Sequence, residues 1–184
     1  MASVLVPLAP GFEELEAVTI IDLLVRAGVE VISAGLVAGP IKASRGMVIH
    51  PDMSLDEALK RQFDMVVLPG GLPGADHLNR DSRILELLKA MASQDKYTAA
   101  ICAAPKVLAT AGLLDGKSAT SYPGAIEDLG LNTTQISQQS VVIDGNVITS
   151  RGPGTAMEFA LTLIETLVGR DKRDEVAKGL LYDH

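Results

Sequence analysis

The sequence predicts an α/β protein built on a mainly parallel sheet with helices on both faces. Three observations carry that expectation. Short apolar runs of strand length alternate with segments of helical periodicity from one end of the chain to the other. Turns rich in Gly and Pro close several of the predicted strands, at Pro10-Gly11, Pro69-Gly70-Gly71 and Gly152-Pro153-Gly154. The composition, 184 residues with 47% hydrophobic and 21% charged, is that of one packed domain, with no linker, repeat or low-complexity tract, so a single domain over 1–184 is expected.

Val4 to Leu8 reads as a buried first strand, turned by Pro10-Gly11. Glu13 to Ala27 has helical spacing, with Leu15, Val18, Ile21, Leu24 and Val25 as its apolar positions and Gly28 at the stop. Glu30 to Gly35 is the second strand. Ile41 to Pro51 suggests a short hairpin around Ser44-Arg45-Gly46, and Ser54 to Glu57 resembles a capping box that opens a short helix. Phe63 to Leu68 is a strand, and Asp81 to Ser93 a helix with Ile84, Leu87, Leu88 and Met91 inward. Thr98 to Ile101 is a strand that delivers Cys102, and the helix after it ends near Gly112. Ala119 to Tyr122 reads as a short strand, and Ser140 to Thr149 as a hairpin with Asp144-Gly145 at its tip. Thr155 to Val168 is a long amphipathic helix, and Lys172 to Leu181 a last short one. In such sheets ligands sit at the carboxyl ends of the strands.

Charge and composition exclude several classes. The formal net charge is −7, and the Lys and Arg residues are scattered, so no basic stripe marks a stable nucleic-acid surface. No apolar run reaches the roughly 20 residues of a membrane span. The first residues lack the basic flank of a cleavable signal and run into Pro10-Gly11. A single cysteine makes no internal disulfide, and a reducing cytoplasm is the expected address. P-loop, paired-histidine and dinucleotide-binding patterns are all missing, so neither a metal nor a cofactor is expected.

The run Tyr97 to Ala109 is the most informative stretch. It reads as strand, Cys102, then the first turn of a helix, which resembles a nucleophile elbow with cysteine in the place of serine. Near a helix N-terminus the thiolate is favoured; the alternative is a buried cysteine acting as a small hydrophobe. A nucleophile there needs N–H donors for an oxyanion, which the amide of Ala103 and one from Pro69-Gly70-Gly71 can supply. Of the carboxylates that open the first helix, Glu13 and Glu14 are expected to serve only the helix dipole. Glu16, near Leu15 on the helical wheel, points partly inward, and burial beside a thiol would raise its pKa. His50, His77 and His184 are the three histidines; His77 falls in a polar segment read as a surface loop, and none is placed as a partner for Cys102.

Four motifs, Pro10-Gly-Phe-Glu-Glu-Leu-Glu16, Leu68-Pro-Gly-Gly71, Ala99-Ala-Ile-Cys-Ala-Ala-Pro105 and Thr149-Ser-Arg-Gly-Pro-Gly-Thr155, stand in the order of the ThiJ/PfpI superfamily. The chain resembles its branch of Parkinson-associated DJ proteins and bacterial YajL-type relatives. The resemblance implies a flavodoxin-like three-layer sandwich and a homodimer. It makes Cys102 the oxidation-sensitive nucleophile and Glu16 a protonated carboxyl bonded to its sulfur. Gly71 and Ala103 amides form the oxyanion pocket, with Gly70 in the same turn. Arg45 approaches from the dimer partner, and Arg151 and Pro153 line the loop beside the cysteine. Tyr122 stands where many members carry histidine, and a phenol with a pKa of about 10 is a poor base at neutral pH.

The implied activity is a glutathione-independent glyoxalase that converts α-oxoaldehydes such as methylglyoxal and glyoxal to hydroxy acids. The resemblance also implies repair of early glycation adducts on proteins or nucleotides. A redox-sensing stress protein or chaperone acting through Cys102 oxidation is the alternative. A thiol peptidase is disfavoured by the missing histidine.

Overall fold

The computed structural model describes residues 1–182. His184 therefore lies outside the described residues. A seven-stranded sheet runs through the molecule in the order β10-β11-β7-β6-β1-β2-β5. Its strands are β1 (Ser3–Leu8), β2 (Glu30–Gly35), β5 (Met53–Ser54), β6 (Met65–Leu68), β7 (Tyr97–Ile101), β10 (Val141–Asp144) and β11 (Val147–Ser150). All neighbours pair in parallel except β10, which returns antiparallel on β11 as the hairpin the Asp144-Gly145 turn predicts. Two-residue strands make two further ladders, β3 (Ile41–Lys42) with β4 (Val48–Ile49), and β8 (Ser118–Ala119) with β9 (Gln135–Ile136).

Strand alternation splits the core in two. Val4, Val6 and Leu8 of β1 face one layer, where they meet Ile20 and Leu24 of α1 (Glu14–Arg26), Phe159 and Ile164 of α6 (Ala156–Val168) and Val176 of α7 (Arg170–Gly179). Leu5 faces the other, with Leu55 of α2 (Leu55–Ala58), Leu78 of α3 (Gly74–Arg80), Leu88 of α4 (Ser82–Ser93) and Val107 of α5 (Pro105–Thr110). Each such side chain removed from water contributes about 1.5–3 kcal/mol. The result is the predicted three-layer sandwich. None of the described helices is long and apolar enough to cross a membrane.

Several expectations are corrected. Residues 74–80 form helix α3, not a surface loop; seven residues with Asp76, His77 and Asn79 among them show too little apolar periodicity to be read as a helix. On α1 the predicted inner face is mostly the outer one. Leu15, Val18 and Val25 are 51%, 42% and 55% exposed, while Glu16, Ala17, Ile20, Leu23 and Leu24 are buried. Both sets repeat at helical spacing, so periodicity alone does not choose between them. The strand expected over Ala119 to Tyr122 shrinks to Ser118–Ala119, because Thr120 turns its amide to the Thr149 hydroxyl (2.9 Å). Strands β5 and β9 are too short to leave a pattern.

Candidate active site

Three parallel neighbours, β1, β6 and β7, end side by side and bring Ala9–Gly11, Pro69–Gly71 and Cys102 together. Cys102 leaves β7 with φ +63°, a left-handed conformation that L-residues adopt only when their surroundings hold them there. Two backbone bonds do so: the Cys102 amide donates to Ser150 O (3.0 Å), and the Tyr122 amide donates to Cys102 O (2.8 Å). Pro105, fixed near the helical φ, then opens α5. The thiol is half-buried.

Glu16 enters from the first turn of α1 and is fully buried. Its Oε2 accepts a hydrogen bond from the Gly70 amide at 2.8 Å. The carboxyl also interacts with the Cys102 thiol, yet Oε1 has no partner in conventional hydrogen-bond geometry, so the acid–sulfur contact is close rather than fully aligned. Burial pushes Glu16 up to about 7, against the Gly70 and Cys102 bonds that favour its charged form; the nearby Glu13 charge adds to the rise.

The thiol departs from the expectation of a helix-terminus thiolate. Burial first, then the Glu16 charge and hydrogen bond, push Cys102 up to about 12, while the Gly71 and Ala103 amides pull the other way. Acid and thiol thus form a coupled pair that loses its first proton near neutrality. With that proton lost, the arrangement that places charge on sulfur is the one in which Glu16 keeps the remaining proton.

The turn after β6 fits tightly against these groups. A Cβ on Gly70 would lie 2.6 Å from Cys102 Cβ and 2.9 Å from Glu16 Oε2. Gly71 has φ +87°, and a Cβ there would lie 2.4 Å from the Glu13 amide and 2.7 Å from Gly11 O. Glycine is required at both positions by close approach, and at Gly71 by conformation as well. The Gly70 amide is engaged by Glu16, which leaves Gly71 and Ala103 to donate at the sulfur; this corrects the grouping of Gly70 with the oxyanion donors.

Glu13 and Glu14 do more than complement the helix dipole. Glu14 accepts from the Arg45 amide (2.9 and 3.0 Å at its two oxygens) and from the Met47 amide (3.4 Å), and Ser44 Oγ lies 3.0 Å from Glu13 Oε2 and 3.1 Å from Glu14 Oε2. Burial raises the Glu14 pKa, but these bonds more than offset it and the net direction is down. They hold the β3–β4 loop against α1, with the Arg45 side chain exposed.

The structure brings together Cys102, Glu16, Gly70, Gly71 and Ala103. Tyr122, Arg151 and Pro153 line an open cleft of about 260 Å³ nearby, and Tyr122 is 54% exposed. Arg45 is not among the residues lining that cleft. Sequence reasoning missed the hydroxyls that shape the β11 exit. Ser150 Oγ and Thr155 Oγ1 are 2.7 Å apart, and Thr155 Oγ1 accepts from the Gly152 amide (3.1 Å). Both residues lie inside the Thr149-to-Thr155 motif, so the signal was present. Among the described residues, no group of three or more His, Cys, Asp or Glu side chains is placed to hold a metal ion.

Known proteins match this chain along nearly its whole length. The family model described as the DJ-1/PfpI family matches residues 2–166. Protein dj-1beta of Drosophila melanogaster is 51% identical over 180 residues, 97% of this chain and 96% of the relative. Its crystal structure has a TM-score of 0.95 at 48% identity, covering 100% of this chain and 99% of that one. The structure of Toxoplasma gondii DJ-1, oxidized, also has a TM-score of 0.95, at 38% identity with 100% of each chain covered. The Caenorhabditis elegans protein named glutathione-independent glyoxalase DJR-1.2 is 38% identical over 168 residues, 91% of this chain and 89% of the relative. With its elbow cysteine, its buried acid and these matches, the chain belongs to the DJ-1/PfpI family.

Proposed function

We propose that the protein is a cofactor-independent glyoxalase acting on small α-oxoaldehydes. The observation that carries this reading is the buried Glu16 carboxyl, raised to about 7, against the Cys102 thiol. A relative at 38% identity that bears the name of this activity supports it. Glu16 takes the thiol proton as sulfur attacks the aldehyde carbon of methylglyoxal, and returns it to the new alkoxide to give a hemithioacetal. The Gly71 and Ala103 amides hold the charge that develops at the reacting centre. Glu16 then removes the hydrogen from that carbon as a proton and delivers it to the adjacent carbon, while the hydroxyl proton passes from the first oxygen to the second through the enediol. The first carbon is oxidised and the second reduced, which leaves a lactoyl thioester on Cys102. Water hydrolyses the thioester to lactate and frees the thiol. Glyoxal gives glycolate by the same steps. No external oxidant or reductant enters.

The same aldehyde chemistry extends to early glycation adducts of proteins and nucleotides, and its free thiol suits a reducing cytoplasm. We place Arg45, Tyr122, Arg151 and Pro153 at the substrate entrance. A homodimer built on the exposed Leu15–Val18 stripe of α1 with Met47 and Val48 would bring a second loop to that region.

Lactate formation from methylglyoxal without glutathione, by wild type and Cys102→Ser, tests the reading. Turnover that disappears in the variant is expected; a folded, reduced wild type without turnover overturns it. The second reading, a sensor whose Cys102 is oxidised to a sulfenic or sulfinic acid, is favoured by the relative whose solved structure is described as oxidized. Stoichiometric sulfinate by mass spectrometry under mild peroxide, in a protein with no turnover, would select it.

A further inference from the structure

Beside Pro10, on the α3–α4 side of the sheet, lies a second cleft of about 390 Å³. Its walls combine apolar surface from Pro10, Leu36 and Val37 with the side chains of His77, Arg80 and Arg83. The charges there are distributed unevenly. Arg83 is neutralised by two carboxylates, Asp81 at 2.6 Å and Asp56 at 2.8 Å, and donates a further bond to Leu36 O at 3.2 Å. Arg80, at the end of α3, is exposed and makes no ion pair among the described residues. His77 Nδ1 lies 2.9 Å from Pro10 O; a carbonyl oxygen only accepts, so the ring donates there and its Nε2 is left over.

We propose that this cleft binds a short-chain monocarboxylate, with its carboxylate on the Arg80 guanidinium and its alkyl end against Pro10, Leu36 and Val37. Three features select that chemistry. A guanidinium matches a carboxylate with two parallel N–H donors. The apolar wall rewards an aliphatic tail, as small-molecule sites generally do. The Asp81 carboxylate on the same wall opposes a second negative charge, which disfavours phosphate and other dianions. Pro10, held by His77, belongs to the Pro10–Gly11 turn that carries one edge of the candidate active site, so a ligand in the cleft touches that turn directly.

The test is a titration of the full chain, labelled with nitrogen-15, with sodium butyrate and in parallel with inorganic phosphate at constant ionic strength. Saturable shifts are expected at the Val37, His77 and Arg80 amides, in the millimolar range, with phosphate about tenfold weaker. Arg80→Gln should weaken butyrate about fivefold, the effect of losing one exposed charge-assisted pair. Val37→Glu, which places a carboxylate at the half-exposed rim, should abolish saturation. Both positions are open to solvent, so neither change threatens the fold. The proposal is overturned if no saturation occurs at these amides, if phosphate binds as well as butyrate, or if Arg80→Gln leaves the affinity unchanged. Neither turnover nor Cys102 enters the readout, so the result stands apart from the fate of the glyoxalase reading.

Discussion

Glu14 and Glu16 stand two residues apart in the first turn of α1, and their surroundings drive them in opposite directions. Both are withdrawn from solvent. Glu14 meets a loop whose amides and hydroxyl point at it, and its pKa falls. Glu16 meets one amide, a thiol and hydrocarbon, and its pKa rises to about 7. The difference teaches that burial alone does not decide the charge of a carboxylate. What decides is how many donors arrive with it. The donor-rich side makes a structural anchor that is ionised at physiological pH; the donor-poor side makes a carboxyl poised between its two protonation states near neutrality.

The largest expected effect is on chemistry. Glu16→Gln keeps the shape and removes the titratable proton, and should lower the proposed glyoxalase turnover roughly a thousandfold. Glu14→Gln should leave the rate within about threefold, since it touches the loop and not the sulfur. Equal losses in a steady-state assay would erase the distinction.

Next comes the turn that follows β6. Gly71→Ala forces a Cβ into the Glu13 amide and Gly11 O at a positive φ, and should cost about 3–4 kcal/mol in a urea titration. A change below about 1 kcal/mol would show that the turn gives way, as a loosely held turn does.

The pH dependence of stability separates the two acids by sign. The folded pKa of Glu16 is raised, from 4.5 to about 7, so the protein favours its neutral form. That contribution is whole below pH 4.5 and is lost as pH rises to about 7. Glu16→Gln should therefore match wild type in acid and exceed it at pH 8 by up to about 3 kcal/mol. Glu14 runs the other way: its contribution is present above 4.5 and is lost as pH falls through its lowered folded value. The deficit of Glu14→Gln, about 1 kcal/mol at neutral pH, should close in acid. Melts across the pH range check both signs.

The finest test follows the thiol. Iodoacetamide should alkylate wild-type Cys102 with an inflection near pH 7, where the pair loses its first proton. In Glu16→Gln that inflection should vanish, and a new one should appear below the wild-type thiol value of about 12, because the opposing charge is gone. An unchanged profile would uncouple the two groups.

The cysteine elbow was legible because strand, small residues and proline leave a local pattern around Cys102. Glu16 is legible for an imperfect reason: its nearness to Leu15 on the helical wheel points it inward, and Leu15 is itself half-exposed. The true guide was the stripe Glu16, Ala17, Ile20, Leu23 and Leu24, which competes with a second apolar stripe of equal spacing. Glu14 was not legible at all, because its partners lie about thirty residues away in a loop, and sequence spacing does not report such contacts. Helix α3 was hidden by its shortness and polarity, and with it the cleft that Arg80 lines. The raised thiol pKa was hidden for the same reason as Glu14: it depends on what packs around the sulfur, and local sequence shows only the helix that follows.

At Gly71 the nearest obstructing atoms are all backbone, and backbone has no smaller version to mutate to; at Gly70 two of the three belong to the side chains of Cys102 and Glu16. A lesion at Gly71 has no second-site suppressor among its neighbours, whereas a damaged side-chain contact elsewhere can be repaired by changing its partner. In a saturation library scored for function, Gly71 should stand as an isolated dead end, empty in every genetic background. Variation in this scaffold is thereby channelled outward, to the tyrosine, arginine and proline that line the open cleft.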